Sequence, residues 1–190
     1  MALSDQLREK TVAIADRWLA EALAAYPADS AAAFRRGQDR FANPVGHALR
    51  EGTRAALEAL LDGRPPSEVC AALDEVIKIR AVQEFRPSEA LRFVFALKAA
   101  LRAELKSPPA DEAVSADLAE LDRRIDQAAL EAFDIYMRYR SQIGELRINE
   151  VKRSVARLVE QIDRWPDRAN GQRSPLVPLE CGQSQRGDEA

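Results

Sequence analysis

Apolar residues recur every three or four positions along most of this chain, and that spacing is the period of an amphipathic helix. No stretch alternates apolar and polar residues in the way that a half-buried strand does. Prolines and glycines interrupt the pattern, and proline pushes the residue before it out of helical geometry. The sequence therefore predicts an all-α fold with helices over residues 4–26, 31–36, 44–61, 67 to the turn before 87, 87 to 101, and 115–165.

The helix that follows Pro87 is apolar on nearly every side from Leu91 to Leu101, with Lys98 as the exception. Apolarity all round is typical of a buried helix. We therefore expect this helix at the centre of a single helical bundle of about five to seven helices. An up-down bundle is the alternative, and near-antiparallel rather than steeply crossed helices would distinguish it.

The last helix is unusually long, and its apolar spacing changes near Gly144. Before that point the stripe follows a regular three-four spacing, which we interpret as packing inside the domain. Beyond it we expect the helix to project and to present a new apolar seam, formed by Val151, Val155, Leu158, Ile162 and Trp165. A projecting seam needs a partner, most simply its own copy in a parallel dimer. The alternative is that the seam folds back onto the same bundle.

The helical pattern ends at Pro166, and residues rich in glycine, proline and polar side chains follow. Such composition is typical of a flexible segment. We therefore expect one helical domain over residues 1–165, including the long helix, and a flexible tail over residues 166–190.

Composition excludes several classes of function. The formal net charge of −3 argues against a nucleic-acid-binding surface, which normally has a basic excess. No apolar run approaches the roughly 18 residues that span a bilayer, so we expect no membrane insertion. The two cysteines, Cys70 and Cys181, lie far apart in the sequence, which makes a disulfide framework improbable and a cytoplasmic location the expectation.

The sequence offers little catalytic or cofactor chemistry. The sole histidine is His47, in the first turn of a predicted helix, and zinc sites need several cysteine or histidine ligands at close spacing. The most apolar helix has no histidine that could bind a haem iron. We therefore expect no cofactor, no metal and no enzymatic activity.

A cluster of polar residues lies around the turn at Pro87, embedded in apolar sequence. Arg80 and Gln83 precede the turn, and Lys98 follows it within the apolar helix. Lys98 should pair with a carboxylate, because an unpaired buried ammonium costs several kcal/mol. The candidate acids are Asp126 and Asp134. One interpretation is a pair that fixes helix register, in which case Lys98→Met should be tolerated once its acid is neutralised.

The other interpretation is a polar pocket for a small ligand, formed by Arg80, Gln83, Lys98, Asp126 and Asp134. We also expect acids of the last helix to be paired with bases one residue or one turn away in that helix. The residues concerned are Asp122, Asp126 and Asp134, with Arg123, Arg124 and Arg138.

Seven segments occur in an order that resembles a known family: Phe41–Gly46, Ile79–Gln83, Arg86–Ala90, Phe93–Lys98, Leu121–Asp126, Ala132–Tyr136 and Leu146–Lys152. Together they resemble the N-terminal domain of RsbT co-antagonist proteins of the RsbR/RsbRD type. The resemblance implies a globin-like helical bundle without haem that dimerises and passes a signal along its C-terminal helix to a STAS output domain.

The resemblance thus implies a non-catalytic regulatory or sensory module that acts through protein–protein contact in a stress response. Because only a polar tail follows the seam, the helix could present its signal to a separate partner, with the protein acting as a homodimer or in a regulatory complex. Two other functions stay open. One is a ligand-binding accessory protein linked to sulfur-metabolism redox complexes, and the other is an acid–base enzyme using Asp126 and Asp134.

Overall fold

The computed structural model describes residues 3–36, 39–105 and 112–163, and these residues form helices and the turns between them, with no strand. The prediction of an all-α fold is confirmed, while the globin-like arrangement of the helices stays a prediction. The helices are α1 (Leu3–Arg8), α2 (Thr11–Leu23), α3 (Ala28–Arg36), α4 (Pro44–Leu61), α5 (Pro66–Val82), α6 (Pro87–Glu104) and α7 (Glu112–Asp163).

Local signals fix several of these boundaries. Asn43 caps α4, because its side-chain oxygen accepts a hydrogen bond from the Gly46 amide at 2.9 Å, with Pro44 at the first helical position. Gly63 follows the end of α4 with a φ of 76°, a left-handed conformation that glycine adopts without steric cost. Pro66 and Pro87 begin α5 and α6. These features agree with the predicted starts to within one residue.

The predicted first helix is divided into two. Glu9 and Lys10 form a turn between α1 and α2, and the Thr11 hydroxyl donates to the Arg8 carbonyl oxygen at 2.8 Å. Leu3 and Leu7 of α1 are nevertheless buried, as are Ile14 and Trp18 of α2. The turn therefore lets both short helices direct apolar side chains into one core.

The chain divides into two compact units, with the boundary between Glu145 and Leu146, and the second is described over residues 146–163. In the first unit, α2 packs on α6, and the Trp18 indole donates from Nε1 to the Phe93 carbonyl oxygen at 2.6 Å. The α4 and α5 helices approach closely at Gly52, where an added Cβ would lie 3.0 Å from the Ala72 carbonyl oxygen. Close packing of this kind leaves no room for a larger side chain at position 52.

The α6 helix is buried on one face only, which corrects the expectation that it is buried all round. Phe93, Val94 and Leu97 are buried, whereas Arg92 is exposed and the Phe95 side chain is 48% exposed. The apolar pattern overstated burial because alanine and phenylalanine can also occupy a surface face.

The first part of α7 carries the predicted stripe. Leu118, Ile125, Ala128 and Ala132 are buried in the first unit, and Tyr139 is half-buried. The second unit is described over residues 146–163 as helix, with exposed side chains along it. Trp165 and the predicted tail over residues 166–190 lie outside the described residues. The predicted domain limits therefore stay a prediction.

No helix in the described part of the chain is long and apolar enough to cross a membrane.

Candidate functional site

Arg80 is a fully buried cation at the meeting point of three helices. Its Nη1 donates to the Ala90 carbonyl oxygen of α6 at 2.7 Å, and its Nη2 donates to the Ala22 carbonyl oxygen of α2 at 2.6 Å. Its Nε has no hydrogen-bond partner among the described residues. Arg80 therefore ties the end of α5 to α2 and α6 through backbone groups rather than through a carboxylate.

Three aromatic rings surround this guanidinium. Its central carbon lies 4.4 Å from the ring centre of Phe93 and 5.7 Å from those of Tyr26 and Phe85. Aromatic faces attract cations and replace part of the lost hydration. Burial lowers the pKa of Arg80, although Tyr26 opposes this effect. Burial raises the pKa of Tyr26, and the Arg80 charge partly offsets that rise.

The turn between α5 and α6 is held by two tyrosines. Gln83 is exposed, and its side-chain oxygen accepts a hydrogen bond from the Tyr26 hydroxyl at 3.0 Å. The Tyr136 hydroxyl of α7 donates to the Phe85 carbonyl oxygen in this turn. Gln83 thus connects this turn to Tyr26, in the segment between α2 and α3, and the Phe85 backbone connects it to α7.

A cavity of about 370 Å³ lies beside Arg80, between α2, α6 and the end of α5. Its walls combine apolar and charged side chains: Glu21, Ala24, Ala25, Arg80, Phe85, Glu89, Arg92, Phe93 and Ala96. Of the five residues predicted for a ligand pocket, this cavity contains only Arg80. Glu21, Glu89 and Arg92 were missed, because their exposed sequence positions gave no sign that α2 and α6 would enclose a space.

Lys98 of α6 pairs with Asp126 of α7, one of its two candidate acids, at an Nζ–Oδ1 distance of 2.6 Å. One turn along, Arg102 pairs with Asp122. As the α6 position rises by four, the α7 position falls by four, so the two helices run antiparallel here. The Lys98 and Asp126 side chains are 24% and 51% exposed, so this pair lies at the surface rather than in the core.

The expected pairing of acids within α7 is wrong for Asp122 and Asp126. Both bind bases of α6, because the antiparallel packing places α6 cations beside them. Arg123 pairs instead with Glu120, and Arg124 donates to the backbone oxygens of Leu60 and Arg64.

Asp134 is exposed and forms no ion pair among the described residues, so its expected pairing with Arg138 is absent. Asp134 does not line the cavity beside Arg80 either. Ligand binding by the predicted set of residues stays a prediction.

Neither Cys70 nor His47 forms a reactive centre within the described residues. Cys70 is buried and its thiol donates to the Ala128 carbonyl oxygen at 3.0 Å. Burial raises the pKa of Cys70 to about 12, with a smaller contribution from Glu131, so the thiol is protonated at neutral pH. His47 is half-buried in the first turn of α4, and the described residues contain no group of ligands that could hold a metal ion.

The predicted seam is exposed along the second unit. Val151, Val155, Leu158 and Ile162 are each more than half exposed. Ile148 is also more than half exposed and extends the same spacing by one position. The sequence interpretation missed Ile148 because it began the seam at Val151, although the three-residue step between them fits the pattern.

A second exposed apolar strip lies on α7 in the first unit, formed by Leu130, Phe133 and Met137. These positions share one helix face by their three-four spacing. We name this set the α7 strip. It was missed because its residues alternate with the core positions Ala129, Ala132 and Tyr136 in the sequence.

Comparison with known proteins gives one finding. The family described as the RsbT co-antagonist protein RsbRD N-terminal domain matches residues 12–151, more than half of the chain. No curated protein and no solved structure matches the chain. The matched range includes Arg80 and its contacts, the cavity beside it, and the ion pairs between α6 and α7. The match confirms the family resemblance seen in the sequence. The chain therefore belongs to the RsbRD N-terminal domain family of RsbT co-antagonist proteins.

Proposed function

We propose that this protein is a non-catalytic regulatory module that transmits a signal through protein–protein contact, with the exposed seam of α7 as its contact surface. The observation that carries the proposal is the seam itself: five apolar side chains, each more than half exposed, at Ile148, Val151, Val155, Leu158 and Ile162. Membership of a family of RsbT co-antagonists supports a regulatory role.

The spacing of the seam suits a coiled-coil interface. Successive steps of three, four, three and four residues place Ile148, Val155 and Ile162 at one core position of the heptad and Val151 and Leu158 at the other. A single helix leaves all five in water. Burying such side chains contributes roughly 1 kcal/mol each when about half of the side chain is already covered. A second copy of the same helix supplies a matching surface, so we propose a homodimer.

The proposal places the protein outside catalysis. Asp126 is occupied by Lys98, and Asp134 is exposed, which supports neither acid as half of a catalytic pair. The buried and protonated Cys70 is equally unsuited to nucleophilic attack. A free buried thiol fits a reducing compartment, and we propose the cytoplasm.

Multi-angle light scattering on the full chain tests the proposal. We expect a dimer, and we expect Leu158→Glu to produce monomers because the substitution buries a charge at the proposed interface. Ala156→Glu is the matched control, since it introduces the same side chain on an exposed position outside the seam. It should leave the dimer intact.

Two outcomes contradict the proposal. A monomeric full chain at high micromolar concentration excludes the homodimer. A dimer that resists Leu158→Glu but dissociates in Leu130→Glu assigns the interface to the α7 strip instead of the seam. Circular dichroism of each variant verifies that the helical content is unchanged, so that loss of the dimer is not loss of the fold.

A further inference from the structure

The cavity beside Arg80 is lined by two kinds of side chain, apolar and charged. Phe85, Phe93 and the alanines at positions 24, 25 and 96 form apolar surface. Glu21, Glu89, Arg80 and Arg92 contribute two negative and two positive charges. A volume of about 370 Å³ is within the range of small-molecule sites. The balance of charges disfavours a simple anion or cation, because either would face two groups of its own sign.

The charged groups of this cavity also have unused bonding capacity. Among the described residues, neither the Glu21 carboxylate nor the Arg92 guanidinium has a side-chain hydrogen bond or ion pair. Arg80 is buried, and no carboxylate is among its contacts in the described structure, although its Nη1 also approaches the Glu89 backbone oxygen at 3.5 Å. Its Nε has no acceptor among the described residues. Arg80 has no accessible surface, so a ligand cannot contact it directly. A ligand carboxylate bound by Arg92 would still interact favourably with the buried Arg80 charge, which has no carboxylate partner of its own.

A larger depression of about 700 Å³ between α2 and α4 differs in its arginines. Its arginines already have protein partners: Arg8 pairs with Asp62, Arg54 pairs with Glu51, and Arg50 donates to the Arg35 carbonyl oxygen. A ligand carboxylate there would have to share or displace these contacts. The comparison therefore favours the smaller cavity as the binding site.

We propose that the cavity beside Arg80 binds a small zwitterion with an apolar side chain, of the chemical class of the apolar amino acids. The ligand carboxylate faces Arg92, with the buried Arg80 charge behind the cavity wall. The ammonium faces Glu21 and Glu89, and the apolar group packs on Phe85 and Phe93. Charged hydrogen bonds at both ends give the site its selectivity, because loss of either leaves a protein charge unpaired.

Isothermal titration calorimetry on the unaltered full chain tests the proposal with L-leucine, L-valine, L-methionine and L-phenylalanine. At least one should bind. For the tightest of them, the analogue without the ammonium group and the analogue without the carboxylate should each bind about tenfold more weakly or worse. For L-leucine these analogues are 4-methylpentanoate and 3-methylbutylamine.

Three variants locate the site. Glu21→Gln and Arg92→Gln should each weaken binding by about tenfold or more, since each removes one charged partner. Glu75→Gln is the matched control, because it makes the same change as Glu21→Gln at an exposed position of α5 that does not line the cavity, and it should bind normally.

Binding of none of the four amino acids overturns the proposal. So does equal binding of either analogue, or an equal loss in Glu75→Gln. The analogue comparison uses the unaltered protein, so it decides the matter even if a variant fails to fold. Calorimetry reads the ligand and light scattering reads the dimer, so failure of this inference is distinguishable from failure of the proposed interface.

Discussion

At the scale of single residues, Arg80 is the side chain that joins the end of α5 to both α2 and α6. It is buried without an acid and makes two good hydrogen bonds to backbone oxygens of different helices. The planar guanidinium reaches both oxygens because its donors are fixed in a fork. A lysine at this position carries the same charge, but it has neither that geometry nor the flat surface that contacts Phe93.

We therefore predict that Arg80→Lys lowers the free energy of unfolding by about 1.5–3 kcal/mol, the range for a lost hydrogen bond to a charged group. Urea denaturation measures the change. Arg123→Lys is the matched control, because Arg123 lies on the surface and, among the described residues, its ion pair is with Glu120. It should leave the free energy of unfolding almost unchanged. Equal effects of the two substitutions would refute the junction role of Arg80.

Cys70 makes the stability of the folded protein depend on pH in the alkaline range. Its folded pKa is about 12 because the thiolate would be buried, whereas an unfolded thiol titrates near pH 8.5. Between these values the folded state retains a proton that the unfolded state has lost. Stability contributed by this group is therefore fully present below about pH 8.5 and falls as pH rises above it.

We predict that the free energy of unfolding falls by about 1 kcal/mol between about pH 8.5 and about pH 9.5 because of this thiol. Cys70→Ala should be less stable at both pH values, because it removes a buried side chain, but its fall over this interval should be smaller by that amount. Denaturation of both proteins at the two pH values measures the difference. Parallel falls in the two proteins would show that Cys70 does not titrate in this way.

At the scale of elements, two ion pairs of unequal exposure connect α6 to α7. Asp126 is half exposed and stays hydrated if Lys98 is removed. Asp122 is only 22% exposed, and its Oδ1 is buried without a hydrogen-bond partner among the described residues. Removal of Arg102 therefore leaves a less hydrated carboxylate than removal of Lys98 does.

We predict that Lys98→Met costs less than about 1 kcal/mol, as expected for a surface pair. Arg102→Met should cost about 1–2 kcal/mol more than that, because the Asp122 carboxylate that it leaves behind is poorly hydrated. The two substitutions are matched, since they lie one turn apart on the same helix and introduce the same side chain. Urea denaturation at low and high salt gives both values, and a larger cost for Lys98→Met would reverse our interpretation of the two pairs.

At the scale of the whole molecule, the two units carry different parts of the proposed function. The cavity is lined entirely by residues of the first unit, and the seam lies entirely within the second. The α7 helix contributes residues to both units, since it extends from Glu112 to Asp163. A ligand that binds the cavity and changes dimerisation through the seam would therefore couple the first unit to the second. Calorimetry measures the binding, and light scattering on the same sample measures the dimer.

The sequence by itself determined the all-α fold and the starts of α4, α5 and α6, because those starts depend on neighbouring residues, whereas it did not show the turn that divides α1 from α2. Asn43 with Pro44, and the prolines at positions 66 and 87, act within one turn of the chain. The family was also recognisable from seven short segments and from their order along the chain. The sequence narrowed the partner of Lys98 to Asp126 or Asp134, because a charge within an apolar helix requires an acid, and the structure shows Asp126.

Only the tertiary structure decided which faces meet. The hydrogen bond from Arg80 to Ala22 and the cavity lined by Glu21 and Arg92 join positions far apart in the sequence. The single buried face of α6 likewise depends on which helices pack against it. Helix periodicity gives the direction of a side chain around its own axis, but it does not give the angle at which another helix crosses it. That crossing places a half-exposed Phe95 on a helix whose pattern predicted complete burial, and it encloses charges whose sequence positions looked like ordinary surface.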